Sequence, residues 1–88
     1  MVETLACELG NKFIRVNSIA PGMVNTPLNM KLNKDDYFTK LDKSKYILGK
    51  RYAKVSEISD VINYLLSKNS SFITGQTIIV DGGFTLTK

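Results

Sequence analysis

FIRVNSIAPG, residues 13–22, and TGQTIIVDGG, residues 74–83, are short, β-branched, largely apolar runs, the first stopped by Pro21-Gly22 and the second enclosed by turn glycines. Each reads as a strand, the first over 13–20 and the second over Thr77–Val80. Working outward, Met1, Val2, Leu5, Ala6 and Leu9 fall on one face at helical spacing. Gly10, Asn11 and Lys12 follow as a stop, with Gly10 expected to supply left-handed backbone. A second helix is expected from an N-cap at Ser56, with Glu57 near its positive end and Ile58, Val61, Ile62, Leu65 and Leu66 as its apolar stripe. In strand 77–80 alternation sends Ile78 and Val80 to one face and Thr77 and Ile79 to the other.

The order is therefore helix, strand, a polar excursion over 25–51, helix, strand. Two short apolar strands joined by a long connection containing a helix form a crossover in a parallel sheet, and such strands need cover on both faces. One crossover cannot supply it. The fold class expected is α/β: residues 1–88 form an αβαβ part of a doubly wound parallel sheet, incomplete as a domain.

Composition narrows the function classes. Cys7 is the single cysteine and there is no histidine, so no internal disulfide forms and no ligand cluster has metal spacing. That suits a reducing, cytoplasmic setting. No apolar run reaches the ~18 residues of a membrane span, and the acidic MVETLACELG start is unlike a targeting signal. The net charge of +4 is concentrated in residues 31–54, where eight basic side chains face Asp35, Asp36 and Asp42. A basic run can attract nucleic acid, but this one lacks interleaved aromatic stacking residues, and a solvated segment is the preferred reading.

Two Tyr-x-x-x-Lys pairs, YILGK at 46–50 and YLLSK at 64–68, have the spacing that sets a phenol beside an ammonium on a helix. With four Tyr and ten Lys in 88 residues, about half of one such pair arises by chance. Tyr64 lies roughly 130° from the centre of its helix's apolar stripe, an outer position unsuited to tuned proton transfer. Gly49 interrupts the other pair. Neither is expected to be catalytic.

LACELGNKFIRVNSIAPGMVNTPL, LGKRYAKVSEISDVINYLLS and SSFITGQTIIVDGGF, in this order, resemble the C-terminal third of the short-chain dehydrogenase/reductase family, in particular its oxoacyl-carrier-protein-reductase-like branch. The resemblance covers nearly the whole chain apart from the excursion. It implies a Rossmann-type sheet that binds NAD(P) and moves a hydride to or from a small carbonyl or alcohol substrate. It also implies that the Gly-rich fingerprint and the catalytic Ser, Tyr and Lys belong to earlier segments, with the family's Tyr-x-x-x-Lys within about ten residues upstream of Met1. Neither pair in this sequence is in that register, so no catalytic residue is assigned. The 88 residues alone are expected to be inactive and not to hold the cofactor, as a truncation, an internal start or a fragment would be.

What the resemblance leaves here is the nicotinamide end of the cofactor site. Pro21 and Gly22 bring the strand-end backbone close, the main chain of Val24 matches the carboxamide contact, and the Thr26 hydroxyl matches a contact to carboxamide or pyrophosphate. Residues 28–46 take the substrate-loop position, with Met30, Leu32, Tyr37 and Phe38 as candidates. Asn17 is expected to satisfy strand-end backbone, and Arg15 to lie at the surface or an interface. The last helix and strand are implied to make a homo-oligomer interface. The alternatives are a non-catalytic remnant that docks on full-length subunits and, ranked last, a basic nucleic-acid-binding module over 31–54.

Overall fold

A computed structural model describes residues 1–26 and 42–87. Helix α1, Val2–Leu9, passes directly into a tight helical turn over Gly10–Lys12. Gly10 is right-handed (φ −59°, ψ −37°), and its N–H donates to the Ala6 carbonyl. The left-handed residue is Phe13 (φ 60°, ψ 32°), three positions later than expected. The turn defers the stop: the Phe13 N–H takes the Gly10 carbonyl at 3.0 Å and the Ile14 N–H the Leu9 carbonyl at 3.3 Å, so orphan carbonyls are met beyond Gly10.

Strand β1 is Ser18–Pro21 and pairs in parallel with strand β2, Thr77–Val80, from Ser18↔Thr77 to Pro21↔Val80. It is shorter than the apolar run because its entry is held by other bonds. The Gly75 N–H donates to the Val16 carbonyl at 2.8 Å, and the Val16 N–H donates to Thr74 Oγ1 at 3.0 Å. Asn17 has the backbone-satisfying role expected: its Nδ2 donates to the Ile73 carbonyl, and its Oδ1 accepts from the Gln76 N–H. Arg15 does more than decorate a surface. Its guanidinium donates to the carbonyls of Ser67, Ser70 and Ile73 and to the Ser70 hydroxyl, fastening the start of β1 to the turn that precedes β2.

Helix α2 is Val55–Leu66, capped by Lys54 and not by Ser56. Extended backbone at Lys54 (φ −77°, ψ 148°) lets Glu57 Oε1 reach back to the Lys54 N–H at 2.8 Å, which starts the helix early and leaves Ser56 inside its first turn. At the other end the Ser67 hydroxyl donates to the Tyr64 carbonyl at 2.7 Å. A separate turn, Lys68–Ser70, then takes over. Tyr64 and Lys68 therefore stand on different elements, and the exposed Tyr64 hydroxyl donates to the Asn69 carbonyl.

Among the described residues only Ala6, Tyr46, Tyr52 and Ser70 are buried. No residue of α2 is, and Ile62 and Leu66 of its stripe remain exposed. In β2, Ile78 and Val80 are half-buried while Thr77 and Ile79 are exposed, the expected alternation. A cleft of about 470 Å³ lies between β1 and α2, lined by Val16, Ile19, Ile62, Leu65 and Leu66 among others. The described residues form a partial α/β unit whose sheet and helix faces are little buried.

Candidate functional site

At the carboxyl end of β1 the chain runs through Gly22, Met23, Val24, Asn25 and Thr26, and neighbouring segments hold this loop from three directions. The Gly22 N–H continues the ladder to the Val80 carbonyl at 3.0 Å. Val24 and Ala53 form a parallel bridge: the Ala53 N–H donates to the Met23 carbonyl at 2.9 Å, and the Asn25 N–H to the Ala53 carbonyl at 2.8 Å. From the third side, the Met23 N–H donates to the Tyr46 hydroxyl oxygen at 3.1 Å. The Thr26 N–H turns back to the Val24 carbonyl at 2.9 Å.

Pro21, Gly22, Val24 and Thr26 are thus gathered on one continuous stretch. The room left by the missing Gly22 side chain is filled from within the chain. A Cβ there would lie 2.9 Å from Tyr46 Cε1 and 3.2 Å from the Asp81 Cα, so the close approach that needs glycine is to Tyr46 and β2's exit. Val24 and Thr26 are half-buried. Met30, Leu32, Tyr37 and Phe38 lie outside the described residues, as do Lys31, Lys34 and Lys40 of the basic segment.

Tyr46 is the centre of an aromatic cluster. Its ring is 4% exposed, meets Tyr52 edge-on at 5.4 Å, and tilts against Phe84 at 4.8 Å. The Tyr52 hydroxyl donates to Asp42 Oδ2 at 2.7 Å. Lys43 and Lys45 stand over Tyr52 and Phe84, at 5.2 and 5.9 Å from the ring centroids. Phe84 is placed by Asp81, whose carboxylate accepts from the N–H groups of Gly83 and Thr85 and so folds the Phe84–Leu86 turn back. The Thr85 N–H is the main reason the Asp81 carboxyl sits below its ordinary pKa.

Arg51 closes the other flank. Its guanidinium grips Glu57 through two bonds, 2.7 and 2.9 Å, and also donates to the Tyr52 carbonyl. The Arg51 bond, followed by the Lys54 N–H, lowers the Glu57 pKa from an ordinary 4.5 to about 2, and the same pairing raises that of Arg51. Arg51 and Glu57, with Gly22, Met23 and Tyr46, border a cavity of about 120 Å³, and a broader cleft of about 530 Å³ opens beside Pro21, Gly22, Asp42 and Phe84. Among the described residues no cluster of His, Cys, Asp or Glu could hold a metal. No helix described is long and apolar enough to cross a membrane.

Sequence reasoning missed Tyr46, Tyr52 and Arg51. Tyr46 was visible only as part of YILGK, where its partner Lys50 proves to be an exposed residue with positive φ (50°), its N–H bonded to the Tyr46 carbonyl. The one local signal for Arg51 is an acid, Glu57, set in the first turn of a helix just downstream.

A parallel strand pair with a backbone loop at its carboxyl end and a helix on the crossover defines part of a Rossmann-type α/β unit. A family model described as enoyl-(acyl carrier protein) reductase matches residues 1–85. The chain is 45% identical over 86 residues to the glucose 1-dehydrogenase of Gluconobacter oxydans, covering 98% of this chain and 32% of that protein. It is 43% identical to the 3-oxoacyl-[acyl-carrier-protein] reductase FabG of Thermotoga maritima, covering 98% and 34%. Among solved structures, a 4-hydroxyisoleucine dehydrogenase mutant complexed with NADH and succinate superposes with a TM-score of 0.85 at 31% identity, over 99% of this chain and 35% of that one. A short-chain dehydrogenase/reductase from Mycobacterium ulcerans gives 0.86 at 34%, over 99% and 31%. The chain belongs to the short-chain dehydrogenase/reductase family. It spans about a third of the length of the curated relatives it matches.

Proposed function

We propose that residues 1–88 are the C-terminal third of an NAD(P)-dependent short-chain oxidoreductase and carry the nicotinamide end of its cofactor site. The observation that carries this reading is the backbone loop Gly22–Thr26, fixed at the carboxyl end of a parallel strand by β2, Ala53 and Tyr46, where open α/β sheets bind ligands. The residues present fit that end of the cofactor: a strand-end loop, main-chain groups at Val24, and a half-buried hydroxyl at Thr26. NAD(P), when bound, supplies the hydride that is exchanged with a small carbonyl or alcohol substrate. Pro21 and Gly22 set the backbone height, Val24 offers its main chain to the carboxamide, and Thr26 orients it. Residues 25–51 form the substrate side.

With no Gly-rich loop and no family catalytic Tyr-x-x-x-Lys in its sequence, the chain by itself is proposed to be inactive and not to retain NAD(P). The complete enzyme is proposed to be a cytoplasmic homo-oligomer using α2 and β2. The uncovered stripe of α2, with Ile62 and Leu66 exposed, favours as a second reading a non-catalytic segment that docks on full-length subunits. Nucleic-acid binding is not favoured, because Arg51 is paired with Glu57 and Lys43 and Lys45 stand over aromatic rings.

The test is a hybrid in which this chain replaces the matching third of the Thermotoga maritima reductase. The hybrid should bind NAD(P)H, and Thr26→Val should weaken binding by about 1–3 kcal/mol, the usual effect of losing a hydrogen bond in a buried polar site. Unchanged affinity and turnover would place Thr26 away from the cofactor.

A further inference from the structure

We infer that Tyr46 is a positioning residue of the cofactor site, one that acts through the Met23 backbone. This rests on the functional reading above and extends it to a side chain from a different part of the chain.

The geometry that carries it is the bond from the Met23 N–H to the Tyr46 hydroxyl oxygen, 3.1 Å long across 23 positions of sequence. Met23 is the residue between Gly22 and Val24, and its two backbone polar groups are held by different segments: the carbonyl by the Ala53 N–H, the N–H by Tyr46. The N–H belongs to the peptide joining Gly22 to Met23 and the carbonyl to the peptide joining Met23 to Val24, so the two bonds fix the planes on both sides of the Met23 Cα, from which the Val24 main chain continues. Strand pairing does not reach the Gly22–Met23 peptide, since the β1–β2 ladder ends with the Gly22 N–H on the Val80 carbonyl and the Val24–Ala53 bridge engages the peptides on either side of Val24. With only one of the two planes fixed, the other can swing about the Met23 φ and ψ, whereas a second bond from a rigid side chain removes that freedom before a ligand arrives.

Tyr46 is suited to the task because it is itself fixed. Its ring is almost fully buried, held edge-on by Tyr52 and tilted against Phe84, and its Cε1 occupies the space beside Gly22 that any other residue's Cβ would take. Phe84 is in turn set by the Asp81 turn, so the end of β2 and the loop after β1 are joined through one phenol. The paired ring, Tyr52, sends its hydroxyl elsewhere, to Asp42. Two hydroxyls of one aromatic cluster thus make unlike bonds, which supplies an internal control.

In the hybrid, Tyr46→Phe keeps the ring and removes the acceptor, and Tyr52→Phe removes a hydroxyl of the same cluster that does not touch the loop. Amide exchange read on peptides covering 23–25 should speed up in cofactor-free Tyr46→Phe by roughly tenfold and stay unchanged in Tyr52→Phe. NAD(P)H should bind roughly three- to tenfold more weakly to Tyr46→Phe, with the thermal midpoints of the two variants alike. Matching exchange and affinity in Tyr46→Phe and the unsubstituted hybrid would overturn the inference, as would equal effects in both variants, which would mark general loosening of the cluster. If the unsubstituted hybrid bound no NAD(P)H, the functional reading would fall and the cofactor role of Tyr46 with it. If it bound normally while Tyr46→Phe bound equally well, only the inference would fall.

Discussion

The loop Gly22–Thr26 and helix α2 are both well specified locally, yet they differ in how far this chain satisfies them. The loop has its backbone engaged by β2, by Ala53 and by the Tyr46 hydroxyl, and a buried aromatic cluster stands behind it. The helix is capped by the Glu57 carboxylate and closed by the Ser67 hydroxyl, but none of its residues is buried and its apolar stripe borders an open cleft. Polar groups here find their partners at short range or within the chain, whereas apolar surface does not. Apolar burial is the main favourable term in folding, so the loop's geometry rests mainly on polar and backbone bonds and the helix is held with little apolar burial.

The largest consequence concerns the chain alone. With four described residues buried and no disulfide, it has little to set against chain entropy. Broad, non-cooperative thermal unfolding with dye binding is expected, or oligomers held through Thr77–Val80 and α2. A monodisperse monomer in sedimentation with one sharp calorimetric transition would erase the contrast between loop and helix.

Gly22→Ala sharpens the comparison from the loop's side. The new Cβ meets the Tyr46 ring edge and the Asp81 backbone, and backbone cannot step aside cheaply. In the hybrid this overpacking should cost about 1–3 kcal/mol in denaturant unfolding, against a few tenths for an exposed α2 position such as Asn63→Ala. Equal effects at the two sites would show that the loop is no more tightly held than the helix surface.

A smaller effect is expected from acid. Glu57 has a depressed pKa in the folded chain, so its contribution is fully present above its ordinary 4.5 and is lost as pH falls through about 2. Because the Arg51–Glu57 pair is exposed, the gain is modest and screened by salt. In the hybrid, the difference in thermal midpoint between the unsubstituted protein and Glu57→Gln should shrink from pH 5 toward pH 2 and shrink also at high salt. A difference independent of pH would mean that the clasp works through shape alone.

Much of this architecture was legible because it is periodic or punctuated. Ile58, Val61, Ile62, Leu65 and Leu66 mark α2, Thr77–Val80 marks β2, and Pro21-Gly22 marks the strand end where Val24 and Thr26 follow. Placement of ends was less legible, since Gly10 and Ser56 are good caps in isolation, but a continued turn moved one stop to Phe13 and the reach of Glu57 moved the other start to Lys54. The Tyr46 bond to Met23 and the Arg15 bonds to Ser67, Ser70 and Ile73 were not legible at all. They join residues 23 or more positions apart, and no local pattern encodes them.

The central claim, that this chain holds one end of a hydride-transfer site whose remainder lies on other residues, is tested most directly by turnover. NAD(P)H oxidation with small ketones or oxoacyl thioesters should be absent from the purified 88-residue chain and present in the hybrid, and Tyr64→Phe should leave the hybrid's rate unchanged. Turnover by the 88 residues alone, surviving removal of contaminating reductases, would contradict the account.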